Sequence, residues 1–386
     1  MGMKRGSSMV SRWSWLHYGS LSLWLGTVGL ALLSVPECQS VPKTGMSSSV
    51  AAVSARRSAI SGLHGVALNV HRVTDARPFR NAIDEIAGLG ADSLLIVTPM
   101  YQLDGSSSEI GRSRSRCPAP DVLEGLLQYA GERHGLQTAL MPIVLLEKPR
   151  SNEWRGKIAP GDWDQWWESY TAQIVSFAKL AESAGVDLFF VGSELNSTER
   201  MTDRWEAAIA AVRRRFGGAL SYSANWDRYQ KVGYWEALDV IGVSAWYDVS
   251  PEGKYAANPR ADDVGEGDPV ARAWERIRDQ LLGFAESQGR PLLITEIGYP
   301  SLPWGLRDPW NYIVKDGDGV EMPDEAVQVL GFEAFFSAWA DTDDVMAAGF
   351  FCYEWEVGGG TRYGYGVKGK AAETVWQEAF EEISGK

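Results

Sequence analysis

"DLFFVGSEL", residues 187–195, sets four apolar residues in a row and ends on a carboxylate, Glu194. A run that is apolar at consecutive positions is buried on both faces, the mark of a strand in a parallel sheet covered by helices. Seven further runs share the form: "LHGVALNV" (63–70), "DSLLIVTPM" (92–100), "QTALMPIVLL" (137–146), "ALSYSANW" (219–226), "DVIGVSAWY" (239–247), "PLLITEIGY" (291–299) and "VMAAGFFCYEW" (345–355). Between most of them lies a polar loop and a stretch with apolar residues at helical spacing. "DVLEGLLQYAGERHG" (121–135) and "DWDQWWESYTAQIVSFAKLAESAG" (162–185) each close on a glycine, as helices often do. "TERMTDRWEAAIAAVRRRFGG" (198–218) offers Thr198 as a capping residue and a basic last turn. Only "DRYQKVGYWEAL" (227–238), between the fifth and sixth strands, is short for a helical crossover. Eight strand-and-helix units close naturally into a single (β/α)8 TIM barrel of the α/β class. An open doubly wound sheet is the alternative, but no glycine-rich phosphate loop follows the first strand.

The bulk properties narrow the function. The 386 residues carry a formal net charge of −13, which argues against nucleic acid or an anionic membrane as partner. Seventeen Trp, 14 Tyr and 12 Phe are enough both for a core and for a groove of flat apolar faces on which sugar rings stack. Four His, at 17, 64, 71 and 134, form no H-E-x-x-H motif, there is no G-x-S-x-G elbow, and no cofactor or metal is implied. "KDGDGVE" (315–321) lacks the full spacing of a calcium loop and reads as a turn. Cys117 and Cys352 could pair in an oxidising compartment; free thiols are the plainer reading.

Residues 1–36 read as a signal peptide or anchor, with Lys4, Arg5 and Arg12 ahead of an uncharged apolar run at 21–35. Plain cleavage, lipidation at Cys38 and retention as an anchor all stay open, and each implies export to a secreted, periplasmic or membrane-anchored location. Residues 37–60 form a Ser/Ala-rich linker and residues 61–386 the catalytic barrel.

In such a barrel the reactive groups hang from the C-terminal ends of the strands. The fourth strand ends in Glu194 and the seventh in Glu296, nearly opposite in an eight-strand ring. Counting along the pleat aligns Glu194 with Phe190 and Gly192, and Glu296 with Leu292 and Ile294, as inward-pointing residues. Two facing carboxyls suit glycoside hydrolysis: one donates a proton to the leaving oxygen, and the other attacks the anomeric carbon or activates water. A salt bridge is the ordinary reading of one such Glu, and the matched pair makes it the weaker one. Asn225, Trp226, Trp246, Tyr247 and Trp355 lie at neighbouring strand ends as candidate sugar contacts, with rim packing as the plain alternative for each aromatic. Glu147, Glu354 and Glu356 read as hydrogen-bonding or solvated groups.

"FFVGSELNSTE", "LSYSANWDRYQKVGYWEALDVIGVSAWY" and "RPLLITEIGYPS", followed by "DPWN" and "YGYGVKGKAAETVW", resemble glycoside hydrolase family 113, a branch of the clan of retaining TIM-barrel glycosidases. The resemblance covers most of residues 61–386. It implies an endo-β-1,4-mannanase whose partner is a mannan-type polysaccharide or oligosaccharide, with Glu194 as acid/base and Glu296 as nucleophile. It also implies sugar contacts from Asn225, Trp226 and Trp355. Two positions depart from the pattern. Ser193 stands where much of the clan has Asn, so the contact to the sugar 2-hydroxyl falls to another group such as Asn225. Trp246, beside Tyr247, stands where the family usually has Tyr. A β-glucanase, an exo-β-mannosidase and a non-catalytic carbohydrate-binding barrel remain the alternatives. No protein partner is inferable.

Overall fold

The computed structural model describes residue 60 and residues 62–385, apart from 114, 257–267, 316–318, 321, 340–341, 343 and 359–361. The N-terminal segment at 1–36, nearly all of the linker at 37–60 and part of the 315–321 turn lie outside the described residues.

Eight strands form one closed parallel sheet: β1 (Leu63–Asn69), β2 (Ser93–Gln102), β3 (Gln137–Leu146), β4 (Leu188–Ser193), β5 (Ala219–Asn225), β6 (Val240–Ser244), β7 (Leu292–Ile297) and β8 (Ala347–Cys352). β1 pairs with both β2 and β8, which closes the barrel. A two-residue strand, Ile110–Gly111, adds antiparallel to the end of β2. Among the described residues, seven helices cover the outside: α1 (Arg77–Gly88), α2 (Pro120–His134), α3 (Trp163–Ser183), α4 (Thr202–Arg213), α5 (Pro269–Gln288), α6 (Glu325–Trp339) and α7 (Ala371–Ser384). Between β5 and β6 two 3-10 turns, Tyr229–Lys231 and Trp235–Ala237, replace a helix, as the short link foretold.

Local sequence sets the ends of these elements. The Asp162 side chain accepts hydrogen bonds from the amides of Asp164 and Gln165 and starts α3. Gly135 and Gly289, both left-handed, stop α2 and α5. Thr198 is not the cap expected of it: α4 begins at Thr202, and the Thr198 hydroxyl donates to Leu195 O inside the preceding turn. Cys117 and Cys352 are both free and buried, and the Cys117 thiol donates to Pro99 O.

The barrel interior is a dry layer that includes Leu95, Met141, Leu188, Phe190, Val240, Leu293 and Phe351. Above it sits a polar layer, where Ser223 and Thr295 share a hydrogen bond of 2.6 Å across the strands. Among the described residues, most of the tryptophan lies outside the barrel: Trp166, Trp205, Trp274 and Trp376 are fully buried between helices and strands. The aromatic surplus thus belongs mainly to the helix–barrel interface.

Both seams of β1 depend on glycine. A Cβ on Gly349, which has φ +127°, would lie 1.9 Å from Leu63 O on β1. One on Gly65 would lie 2.2 Å from Ser93 O on β2. Neither contact can relax by turning a side chain, because the obstacle is backbone. We expect Gly349→Ala to cost about 3 kcal/mol or more of stability, measured by the urea midpoint. A change within about 0.5 kcal/mol would show that the seam can part without penalty.

Candidate active site

A cleft of about 650 Å³ opens at the C-terminal ends of the strands, and both Glu194 and Glu296 line it. Neither arrives there by pleat alternation. On β4, Leu188 and Phe190 do face the barrel axis. The ladder to β5 is then interrupted between Phe190 and Ser193. A Cβ on Gly192 would run into the Tyr170 hydroxyl at 2.6 Å and Trp205 at 2.9 Å, so that position faces the helices, not the axis as expected. Glu194 itself has φ +51°, a left-handed conformation that costs a side-chain-bearing residue about 1 kcal/mol or more. The surroundings hold it there. Its amide donates to Ser223 O at 2.8 Å, and the next amide, Leu195, donates to the Tyr222 hydroxyl at 2.8 Å. The Tyr222 hydroxyl in turn donates to Glu199, fully buried beside Arg228.

On β7 the expected parity is reversed. Leu293 faces the axis, while Leu292 and Ile294 pack in the outer core. Glu296 should then point outward. It does not, because the register with β6 shifts at Val243/Ser244 and the register with β8 shifts between Ile294 and Ile297. Such bulges re-aim side chains at barrel rims. Both carboxylates that pleat counting turned toward the mouth do line the cleft, by a route that regular alternation does not follow.

The two carboxyls have different partners. Glu194 accepts from Arg155 Nη2 at 2.7 Å and from Ser244 Oγ at 2.6 Å. Glu296 accepts from Trp246 Nε1 at 3.1 Å. Burial first, and then the negative charge of Glu194, push the Glu296 carboxyl up to about 8; Arg155 and the Trp246 N–H pull it the other way. Glu296 thus holds its proton more tightly than an ordinary carboxyl, while the guanidinium and the hydroxyl donate to Glu194.

The other expected contacts divide. Trp246 lines the cleft. Asn225 ends β5 half-buried, and Trp226 stacks on Trp310, a lining residue, at 6.0 Å. Tyr247 is buried in the wall, its hydroxyl donating to Trp226 O. Trp355 is likewise packed away: its amide donates to Ala67 O and its indole N–H to Glu85 on α1. The strand-eight aromatic that does line the cleft is Tyr353, two residues earlier. Glu147 stands 3.9 Å from Arg116, and burial and Glu356 push the Glu354 carboxyl up to about 7.

Sequence reading missed His71, Trp154, Arg155, Trp310, Tyr312 and Tyr365 in the lining. Trp154 and Arg155 come from the loop after β3, where no periodicity marks them. Gly156 lets that loop fold tightly, since a Cβ there would meet the Trp154 ring at 2.4 Å. Glu153 latches the loop, accepting from the amides of Gly105 and Arg150 and from the Arg150 side chain. Among the described residues, no three of His, Cys, Asp and Glu group as metal ligands would.

Comparison with known proteins follows the same line. The sequence model of Glycoside Hydrolase Family 113 matches residues 75–363. A family 113 β-mannanase from Alicyclobacillus acidocaldarius, solved in complex with ManMIm, superposes with a TM-score of 0.71 at 23% identity. The match covers 84% of this chain and 98% of that one. A second solved family 113 β-1,4-mannanase gives a TM-score of 0.67 at 23% identity, over 83% of this chain and 99% of that one. At such identity the likeness shows the fold. Among curated proteins, the chloroplastic uroporphyrinogen decarboxylase 1 of Oryza sativa subsp. japonica is 29% identical over 140 residues. The match spans about a third of that protein's length, 33%, and 32% of this chain.

Burial of Glu296 has a consequence for stability. Its carboxyl holds the proton more tightly in the fold, at about 8, than the ordinary 4.5 of an unfolded chain. The contribution to stability is full below about pH 4.5, falls as pH rises through that window and levels off above about pH 8. Glu296→Gln cannot ionise. We expect its stability relative to the parent to rise across that window, read from urea midpoints at several pH values. A constant difference would show that Glu296 ionises as freely as in water.

Proposed function

The chain belongs to glycoside hydrolase family 113, and we propose that it is a retaining, endo-acting β-mannanase that works by double displacement at Glu194 and Glu296. The observation that carries this reading is the carboxyl pair in one aromatic cleft, each member with its own donors. In the first step the ionised Glu296 attacks the anomeric carbon while Glu194 donates its proton to the departing glycosidic oxygen. In the second, Glu194 takes a proton from water, and that water displaces the glycosyl group from Glu296. The Trp246 N–H on Glu296 Oε2 leaves Oε1 as the attacking oxygen. Retention requires the two carboxyls to stand about 5–5.5 Å apart, against about 6.5–9.5 Å for inversion.

Mannan as substrate is supported by the family and by the β-mannanases that share the fold. Endo action is supported by the rim. Trp310 and Tyr312 line the cleft while remaining 48% and 56% exposed. With Trp226 stacked on Trp310, they offer exposed flat apolar faces in the same cleft as the carboxyl pair, suited to more than one sugar ring.

Glu296→Ala is expected to abolish hydrolysis of mannan oligomers while the chain stays folded; normal turnover would refute the assignment. Glu194→Ala should lose about 100- to 10,000-fold on poor leaving groups and far less on good ones. Equal loss on both would remove its acid role. Proton NMR of the first product formed should show the β-anomer. Product analysis on mannan, glucomannan, cellulose and xylan oligomers tests the sugar. Trp310→Ala should lower kcat/KM roughly two- to tenfold on long oligomers and leave the shortest substrate nearly unchanged.

A further inference from the structure

Double displacement needs the proton on Glu194 and the charge on Glu296, yet the donors in the cleft favour the opposite. Glu194 receives a guanidinium and a hydroxyl, both of which stabilise its ionised form. Glu296 receives one indole N–H. The cation responsible is Arg155. We propose that Arg155 is a positioning residue that sets where the shared proton of the Glu194–Glu296 pair resides, and that it must release Glu194 for the glycosidic bond to be cleaved. This rests on the roles given above to the two carboxyls.

The geometry is specific. Arg155 is the only fixed cation among the described residues that line the cleft. Glu194 and Glu296, Tyr353 after β8 and Tyr222 on β5 all act on its charge. Glu354, beside Tyr353, acts on Glu296. Burial lowers the affinity of His71, also in the lining, for a proton, and the phenols of Tyr312 and Tyr365 complete the titratable groups there. Only Nη2 of Arg155 reaches Glu194, and Nε is buried with no hydrogen-bond partner. An orphaned buried donor is costly, so the guanidinium has capacity for a second acceptor. A sugar hydroxyl in the cleft supplies one. As Arg155 turns to that hydroxyl, Glu194 loses its counter-charge and its proton affinity rises. One proton then passes from Glu296 to Glu194, which leaves Glu296 ionised for attack; the pair's total charge does not change. The loop that carries Arg155 is fixed from outside the cleft by Glu153, which therefore holds the guanidinium in place.

The active form holds one proton on the pair, so kcat/KM against pH is bell-shaped and bounded by the pair's two ionisations. Removing a positive charge raises both. Arg155→Met and Arg155→Gln should move both limbs to higher pH by about one unit or more, and Arg155→Lys should restore them. Glu153→Ala, which loosens the loop without entering the cleft, should shift them the same way by less. A purely structural role would lower the amplitude and leave the limbs in place. Limbs that stay fixed in every folded variant, Glu153→Ala included, overturn the proposal. Titration of the side-chain carboxyl carbons in 13C-Glu-labelled protein, with Glu296→Gln for assignment, reads the same ionisations without any substrate. If they shift in Arg155→Gln but the parent protein hydrolyses no glycan, Arg155 does set the proton, and the mannanase reading fails together with the release step that rests on it. If they do not shift while mannan is hydrolysed, the proposal fails and the mannanase reading stands.

Discussion

Two carboxyl groups cannot both keep a full negative charge in a cleft walled by apolar and aromatic side chains. Burial penalises each charge, and each charge penalises the other. Most of what surrounds the mouth of this barrel answers that constraint. Arg155 and Ser244 support the charge on Glu194, and Trp246 donates to Glu296. Behind them, Ser223 and Tyr222 hold Glu194 in a backbone conformation it would not adopt unaided. The dry layer beneath, with Phe190, Leu293 and Phe351, keeps water from the floor of the site and so keeps the electrostatics strong.

The fold was legible because its signal is repeated. Eight apolar runs at regular intervals leave few architectures, and the ladders follow those runs closely. The positions of Glu194 and Glu296 were legible for the same reason: a carboxylate that ends a buried run has few places to go. Their orientation was not. Pleat alternation holds only while the ladder is regular, and here both strands lose register just before the carboxylate. Tyr353 and Trp355 show the limit of reading an aromatic by type. They share one strand end and one side-chain parity, yet one lines the cleft and the other bonds to Glu85 on a helix.

Arg155 was illegible for a deeper reason. Its position depends on a loop shaped by Gly156 and latched by Glu153 to the amide of Gly105, nearly fifty residues earlier in the chain. Contacts of that kind carry no periodicity and no motif. The tryptophan content serves both uses that composition allowed, and composition could not say which residue serves which. Trp166, Trp205, Trp274 and Trp376 pack helices on the barrel. Three, Trp154, Trp246 and Trp310, line the cleft.

The missing helix between β5 and β6 bears on the cost of assembly. Residues 226–239 join these strands, the shortest link between successive strands of the barrel. Closing a short loop sacrifices less chain entropy than closing a long one, and contacts near in sequence form sooner. This pair is therefore the one whose parallel pairing costs the least closure entropy. Its first strand carries Tyr222 and Ser223, the two residues that grip the turn at Glu194. The strand that grips the most strained residue of the site is thus itself held by the shortest link in the barrel, so the geometry at Glu194 depends on a part of the chain that costs little entropy to close.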